Sequence, residues 1–215
     1  MGQRGTAVNT TRHVFSAQAN PTKARTRDKT LHLVQDETWF WYDGVLTADW
    51  IELCAERDET LQLLLREGAL QPGKGRYVGV NKDAALLARN RDHFAEATAA
   101  GLVEWVEGTW EDVLSDLSAY PNAGILVFDS FNSVANEHLA EILEPTIQFA
   151  HARQATLGQA LVVLNLALRG KDRRHDYHQL IEQRLGVPVS SSQFNTYRGE
   201  GRTVSMHICW VKFGA

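Results

Sequence analysis

Short apolar runs that end in polar residues recur through the middle of the chain. The runs are Tyr77–Val80, Val103–Val106, Ile125–Phe128 and Ala160–Leu166, and segments of helical or turn character separate them. Apolar strands that alternate with helices are typical of a parallel sheet, in which ligands bind at the carboxyl ends of the strands. We therefore predict an α/β fold built on a doubly wound, mostly parallel sheet.

Helical spacing and capping residues predict the intervening helices. Thr47 is a plausible N-cap, and the apolar residues after it recur at helical spacing, which predicts a helix from Ala48 to about Leu70. Asp83 and Gly101 bound a second helix. This second helix spans Ala84–Ala100. The other predicted helices span Trp110–Ala119, Asn136–Gln154 with an interruption at Pro145, and Asp172–Leu185.

The two ends of the chain differ from its middle. Near the start, Leu31–Val34 and Thr38–Tyr42 are rich in residues that favour strands. Near the end, Ser192–Tyr197 and Thr203–Phe213 flank a short segment with two glycines, which predicts an antiparallel hairpin. We predict that residues 31–215 form a single domain that finishes in this hairpin.

The first 30 residues are set apart by their charge. Residues 1–29 hold six Lys and Arg side chains against one Asp, a net charge of +5 within a chain whose total is −4. The segment has almost no apolar periodicity, so we predict a flexible basic arm over residues 1–30. The arm either contacts nucleic acid or an acidic protein partner, or serves only as a solubilising tail.

Composition argues against membrane, secreted and metal-binding classes. No run approaches the roughly 18 apolar residues of a membrane helix, and the first residues lack the apolar core of a secretory signal. We therefore predict a cytoplasmic protein without a membrane partner. Cys54 and Cys209 each lie in an apolar pattern, which predicts buried thiols rather than a metal site. The sequence leaves the oligomeric state open.

Three segments resemble the class I S-adenosylmethionine-dependent methyltransferases. YVGVNKD is similar to the second strand and ribose-binding corner of that family, VEWVEGTWEDV to its third strand, and ILVFDSFNS to its fourth. The predicted terminal hairpin resembles the family's last two strands, so the resemblance covers Leu31 to the end. It implies a Rossmann-like sheet of five parallel strands, a last strand inserted antiparallel, and S-adenosylmethionine as the cofactor.

The resemblance also implies a set of cofactor contacts. Where the family has an acidic residue and a Gly-x-Gly loop, the segment WFWYDG offers Asp43 and a single glycine, Gly44. Asn81 stands where the family has an Asp or Glu that binds the ribose hydroxyls, and its amide oxygen can accept one such bond without a charge. Thr109 and Trp110 follow the third strand on the adenine side, where Trp110 either stacks on the base or packs in the core.

Asp129 and Phe131 are the candidates for the catalytic side. They lie where nucleic-acid amino-methyltransferases carry an Asn or Asp, two prolines and an aromatic residue, a motif that holds the target amine and stacks the flipped base. The two prolines are missing from this sequence. Asp129 is therefore either a carboxylate of the site or the cap of the next helix.

Two functions follow from this comparison. The chain is either a divergent S-adenosylmethionine-dependent methyltransferase, with nucleic acid among its possible substrates, or a catalytically inactive binding or scaffolding module that has lost the cofactor. Methyl transfer needs little acid–base chemistry from the protein, so a divergent site can still work. The reduced glycine loop and Asn81 favour the inactive module, and the fold alone does not decide between them.

Overall fold

The computed structural model describes residues 21–37, 40–116, 118–133, 138–168, 179, 181–183, 186–199 and 202–214. Its helices are α1 Pro21–Gln35, α2 Glu59–Arg66, α3 Ala84–His93, α4 Ala95–Ala99, α5 Trp110–Ser115 and α6 Leu139–Leu157. Its strands are β1 Trp41–Tyr42, β2 Val45–Leu46, β3 Asp49–Leu53, β4 Tyr77–Asn81, β5 Val103–Glu107, β6 Ala123–Ser133, β7 Ala160–Leu168, β8 Ser191–Gly199 and β9 Arg202–Phe213.

The main sheet has seven strands in the order β5-β4-β3-β6-β7-β9-β8. The first five of these strands run parallel to one another, whereas β9 pairs antiparallel with both β7 and β8. The chain builds outwards from β3 to β5 and then returns to β6, so the order of the strands reverses beside β3. The doubly wound sheet and the inserted antiparallel strand are confirmed.

The first parallel strand is β3, in a segment where the sequence predicted a helix. The predicted helix from Ala48 to Leu70 is wrong, because residues 49–53 are a strand and only residues 59–66 are helical. Four of the five β3 residues are buried, since β4 and β6 flank the strand and helices cover both faces. A strand buried on both faces shows no alternation, so its apolar residues also fitted a helical spacing.

Asp43 and Gly44 form the tip of a small hairpin before the sheet begins. Strands β1 and β2 pair only with each other, and positive φ angles of 52° and 82° at the two tip residues suit a two-residue turn. Leu46 then bonds to the backbone of Ala69 and Gly75 on the way into β3. The predicted position of Asp43 and Gly44, in the loop after the first parallel strand, is therefore wrong.

Helix α1 occupies residues that the sequence assigned partly to a flexible arm and partly to a strand. Residues 21–35 are helical, so the predicted strand Leu31–Val34 is wrong, and so is the predicted flexible arm over residues 21–30. The helix is held by contacts far along the chain: Trp210 Nε1 donates to Thr30 Oγ1 at 2.9 Å, and Arg27 forms an ion pair with Glu59. The flexible arm and its nucleic-acid contact stay predictions for residues 1–20, which lie outside the described residues.

Most of the other elements follow the sequence prediction closely. The strands β4, β5 and β7 and the terminal hairpin are confirmed, and the predicted helix over residues 84–100 is divided at Phe94 into α3 and α4. Helix α6 continues through Pro145, so the predicted interruption is wrong. Buried residues on both sides of the proline hold the helix against the sheet and outweigh one missing hydrogen bond. Most of the predicted helix Asp172–Leu185 lies outside the described residues.

Two apolar clusters cover the two faces of the sheet. Helices α5 and α6 pack on one face, around Ile51, Leu126 and Phe149. Helices α1 to α4 lie on the side of the other cluster, which contains Trp50, Leu64 and Trp210. Cys54 and Cys209 are buried and free, as predicted. In the part of the chain that the structure describes, no helix combines the length and the apolar character needed to cross a membrane.

Gly79 gives a test of the packing between β4 and β5. Its register partner is Trp105, and a Cβ built on Gly79 would lie 2.6 Å from the Trp105 ring. We expect Gly79→Ala to lower the free energy of unfolding by about 1–3 kcal/mol, the usual effect of overpacking a core. Urea unfolding followed by tryptophan fluorescence measures the change.

Gly108→Ala is the matched control. A Cβ on Gly108 would have its nearest neighbour, Val113 Cγ2, at 3.8 Å, which is an ordinary contact distance. We expect the control to change the free energy of unfolding by less than about 0.5 kcal/mol. Equal losses in the two variants would contradict the close approach of Trp105 to the β4 backbone.

Candidate functional site

The carboxyl ends of β3, β4, β5 and β6 bring four polar segments to one edge of the sheet. Backbone hydrogen bonds tie three of them together, from Cys54 N to Val80 O at 3.1 Å and from Gly108 N to Asn81 O at 3.2 Å. The fourth segment starts at Asp129, directly after the buried Phe128 of β6. In open α/β sheets, ligands bind at this edge where the strand order reverses, so the candidate site is here.

The loop Cys54–Asp58 leads from β3 into α2 and contains no glycine. It nevertheless has a left-handed residue, because Arg57 has a φ of 52°. Asp58 ends the loop as the N-cap of α2, where its side chain accepts from Leu61 N at 2.9 Å and from Ala55 N at 3.3 Å. Asn90, on α3, bonds to both Ala55 and Arg57. The loop is thus fixed by side chains on both of its flanks.

Asn81 lies at the carboxyl end of β4, as predicted, but its amide group bonds within the protein. Its Nδ2 donates to Cys54 O at 2.8 Å, and its Oδ1 accepts from Asp83 N at 2.9 Å. The side chain therefore joins the end of β4 to the loop after β3. Ribose binding by Asn81 stays a prediction, for which its Oδ1 keeps one acceptor lone pair beside the bond from Asp83 N.

Thr109 and Trp110 begin α5, where they have structural roles. Thr109 is the N-cap, and its Oγ1 accepts from Asp112 N at 3.1 Å while Asp112 accepts in return from Thr109 N. The Trp110 ring is 2% exposed, donates from Nε1 to Thr146 Oγ1 at 2.7 Å and lies 5.6 Å from the Phe128 ring. The packing interpretation of Trp110 is thus correct, and stacking on an adenine is excluded in this conformation.

Asp129 is exposed at the carboxyl end of β6, beside Asn165 of β7. The two residues are register partners, and Asn165 Nδ2 donates to Asp129 Oδ1 at 2.7 Å. The strand predicted over Ile125–Phe128 is longer than expected, because β6 continues past Phe128 to Ser133 with an irregular register. The backbone of Phe131 belongs to this extension, and its side chain lies outside the described residues.

Glu52 is a buried carboxyl group on β3, two residues before the loop Cys54–Asp58. The sequence analysis missed it. Its two oxygens accept from Trp50 Nε1 at 2.9 Å and from Thr60 Oγ1 at 3.0 Å. Burial, and then the charge of nearby Asp58, raise the pKa of Glu52 well above its ordinary value. Burial likewise raises the pKa of Asp58. The hydrogen bond from Thr60 to Glu52 thus connects α2 to β3 in the protein interior.

Other residues of the site also lacked a sequence signal. Asn90 and Asn165 lie in a helix and a strand whose patterns gave no reason to select them. The sequence analysis assigned the loop Cys54–Asp58 to the predicted helix from Ala48 to Leu70. An apolar run followed by polar residues is also typical of the end of a strand. Within the described residues, no cluster of three or more His, Cys, Asp or Glu side chains is arranged to hold a metal ion.

Two clefts in the described part of the chain lie away from this edge. One, of about 260 Å³, is lined by residues next to the amino ends of the strands, among them Phe40, Ala48 and Asn122. The other, of about 630 Å³, is an open groove along α4. The candidate site is therefore defined by the strand ends and their loops, and not by a deep cavity.

The residues at the carboxyl edge of the sheet fit the methionine end of S-adenosylmethionine better than its ribose and adenine. Of the loop residues from Cys54 to Arg57, only Glu56 has a peptide N–H and C=O without a partner in the described chain. Those groups are suited to the polar methionine end of the cofactor. The ribose and adenine sides fit less well, because Asn81 bonds internally and Trp110 is buried.

Known structures share this fold. The chain has a TM-score of 0.57 with a proposed RNA methyltransferase from Pyrococcus horikoshii, at 12% identity over 91% of this chain and 87% of the other. An O-methyltransferase from Bacillus cereus in complex with SAH gives 0.56, at 12% identity over 91% and 83%. TYW2 from M. jannaschii in complex with AdoMet gives 0.54, at 9% identity over 93% and 78%.

These similarities are similarities of fold, and the chain has the Rossmann-like fold of the class I S-adenosylmethionine-dependent methyltransferases. No protein-family profile and no curated protein matches the sequence. A fold that hosts many activities does not by itself assign one of them. The function is therefore inferred from the groups at the carboxyl edge.

The buried carboxyl of Glu52 predicts a specific pH dependence of stability. Its pKa is raised in the folded state, so the unfolded chain releases this proton first as the pH rises above the ordinary value of 4.5. Stability is then lost with rising pH. We expect the stability of Glu52→Gln, which cannot ionise, to rise relative to that of the natural protein as the pH increases above 4.5, by up to about 1.4 kcal/mol per pH unit.

Urea unfolding at several pH values measures this difference. Glu67→Gln is the control, because the Glu67 side chain is exposed and its ion pair in the described structure is with the neighbouring Arg66. Its stability should follow that of the natural protein at every pH. Parallel curves for Glu52→Gln and the natural protein would show that Glu52 ionises freely in the folded state.

Proposed function

We propose that the chain is a divergent S-adenosylmethionine-dependent methyltransferase, which binds the cofactor at the carboxyl edge of β3 and β4. The observation that carries the proposal is the loop Cys54–Asp58. It has a left-handed residue and a peptide without a partner among the described residues, at the strand end where open α/β sheets bind ligands. The reversal of the strand order beside β3 supports this location, and the complexes of proteins of similar fold with AdoMet and SAH support the choice of cofactor.

The chemistry that such a site requires from the protein is modest. The cofactor supplies an electrophilic methyl group on a sulfonium, so the protein has to bind it, place the acceptor and exclude water. At this edge the Glu56 peptide is the group for binding, and exposed Asp129, oriented by Asn165, is the group for an acceptor that donates a hydrogen bond. Thr109 remains a candidate for the adenine side, although it already caps α5.

A binding or scaffolding module without cofactor is the second candidate function. Asn81 favours it, because its amide already bonds to Cys54 O and Asp83 N and so has a structural role at the position where the family has a charged ribose contact. A protein of this kind would use the fold as a rigid surface and the loop as a structural turn. The two candidates differ in one measurable property, the affinity for S-adenosylmethionine.

Calorimetric titration with S-adenosylmethionine and with its demethylated product decides between the candidates. We expect both to bind with dissociation constants below about 1 mM, the upper end of the usual range for enzyme substrates. The product should bind because it retains the adenosyl group and the amino-acid end. No heat of binding with either ligand, from a protein that circular dichroism shows to be folded, would favour the module.

Ala55→Trp tests the placement of the site. Ala55 is exposed in the loop, so a bulky side chain there should obstruct the cofactor and lower its affinity at least about tenfold. Ala155→Trp is the matched control, because Ala155 is exposed near the end of α6, away from the edge. Equal affinities in the two variants would place the cofactor elsewhere.

Asn81→Asp separates the structural contact of residue 81 from its proposed contact with the ribose. A carboxylate cannot donate to Cys54 O, so we expect the variant to lose about 1–3 kcal/mol of stability, as for an unsatisfied polar group. If the ribose lies here, the new charge should raise cofactor affinity at the same time. Urea unfolding and calorimetry on the same preparation measure the two effects.

Asn122→Asp is the control for this variant. Asn122 is exposed just before β6, and the change should alter stability by less than about 0.5 kcal/mol and leave cofactor affinity unchanged. Unaltered stability of Asn81→Asp would contradict the hydrogen bond to Cys54. Lower affinity of Asn81→Asp would contradict the ribose contact.

A further inference from the structure

Asn90 is a buried polar residue whose side chain is directed at the loop after β3. It lies on α3, where the only other buried residue is Leu87, and none of its surface is exposed. Its Oδ1 accepts from Arg57 N at 2.9 Å, and its Nδ2 donates to Ala55 O at 2.8 Å. Both ends of the amide therefore bond to the backbone of one loop, more than 30 residues earlier in the chain.

The two hydrogen bonds enclose the strained part of the loop. Arg57 has a φ of 52°, a conformation that glycine adopts freely and that an arginine adopts only against a steric penalty. Such a residue persists where the surrounding structure fixes the backbone more strongly than the strain opposes it. Asn90 supplies that fixation, because one of its bonds is to the strained residue itself and the other is two residues before it.

Glu56 lies between the two bonded residues. Its peptide N–H and C=O have no partner in the described part of the chain, whereas those of Ala55 and Arg57 are all bonded. The Glu56 carboxylate pairs with Arg89, the residue before Asn90, at 3.0 Å. Both partners of that pair are about half exposed, so it adds little to the rigidity of the loop.

We propose that Asn90 is a positioning residue for cofactor binding, which holds the loop so that the Glu56 peptide is presented to the methionine end of S-adenosylmethionine. It acts through the backbone of Ala55 and Arg57 and does not itself touch the cofactor. The loop contains no glycine, and its left-handed residue is Arg57. Asn90 holds Arg57 in the conformation that a glycine would adopt without strain. This inference rests on the proposed function of the same edge.

A double-mutant cycle between residues 90 and 57 tests the proposal. Asn90→Ala removes both hydrogen bonds, and we expect the affinity for S-adenosylmethionine to fall at least about tenfold, as for two lost hydrogen bonds. In an Arg57→Gly background the left-handed turn forms without strain, so the same Asn90→Ala change should lower the affinity less, by about threefold or below. Calorimetry on all four proteins gives the coupling between the residues.

Arg91→Ala is the matched control on the same helix, since Arg91 is exposed and makes no bond to the loop in the described structure. Its affinity should equal that of the natural protein. Equal losses from Asn90→Ala in the two backgrounds would overturn the proposal, because a general loss of packing would not depend on residue 57. Unchanged affinity of Asn90→Ala would overturn it as well.

Amide hydrogen exchange of residues 54–58 without ligand separates this proposal from the proposed function. If Asn90 holds the loop, Asn90→Ala should speed exchange of the Arg57 amide at least about tenfold while the β4 amides stay protected. Unchanged exchange of the Arg57 amide would overturn the proposal that Asn90 holds the loop, even if the protein binds the cofactor. Failure of the natural protein to bind either ligand, with faster exchange in the variant, would instead refute the cofactor role and leave Asn90 as a purely structural clamp.

Discussion

The site depends on how the chain turns from β3 into α2 without a glycine. The strand ends in the interior, and the next residues must reverse direction within five positions, from Cys54 to the cap at Asp58. Besides the backbone bond from Cys54 N to Val80 O, side chains elsewhere in the fold or at the end of the turn hold it. Asn81 holds its start, Asn90 its middle, and Asp58 closes it onto the helix. The turn therefore fixes the relative positions of β4, α3 and α2.

The strands beyond β3 could be predicted because local signals agreed there with the tertiary structure. The run Tyr77–Val80 ends in a polar residue, and Asp83 caps the next helix as its position predicts. The terminal hairpin had both β-prone residues and a glycine turn. The helix predicted over residues 48–70 was wrong because local signals and tertiary structure disagreed there. The strand β3 is buried on both faces, so it lacks the alternation of apolar and polar residues that identifies a strand. At Leu31–Val34, packing against the sheet outweighed a preference for strand structure.

The candidate site could be predicted only as far as strand ends define it. Asn81 and Asp129 were found because the ends of parallel strands meet at one edge. The contacts of those side chains could not be read from the sequence. Whether Asn81 faces a ligand or Cys54 O depends on a loop that was itself assigned to the wrong element. Asn90 and Asn165 have partners more than 30 positions away, and no local pattern reports such a contact.

The glycines of a cofactor loop supply a backbone conformation, and a conformation can be imposed by other means. Glycine makes the left-handed turn accessible without strain. Here Arg57 adopts the left-handed conformation, and the buried side chain of Asn90 accepts a hydrogen bond from its N–H. A tertiary contact thus takes the place of the conformational freedom of glycine. Such an exchange removes the signature from the sequence and keeps the geometry of the loop. In this chain the loop after β3 contains no glycine, while the sheet keeps its doubly wound strand order.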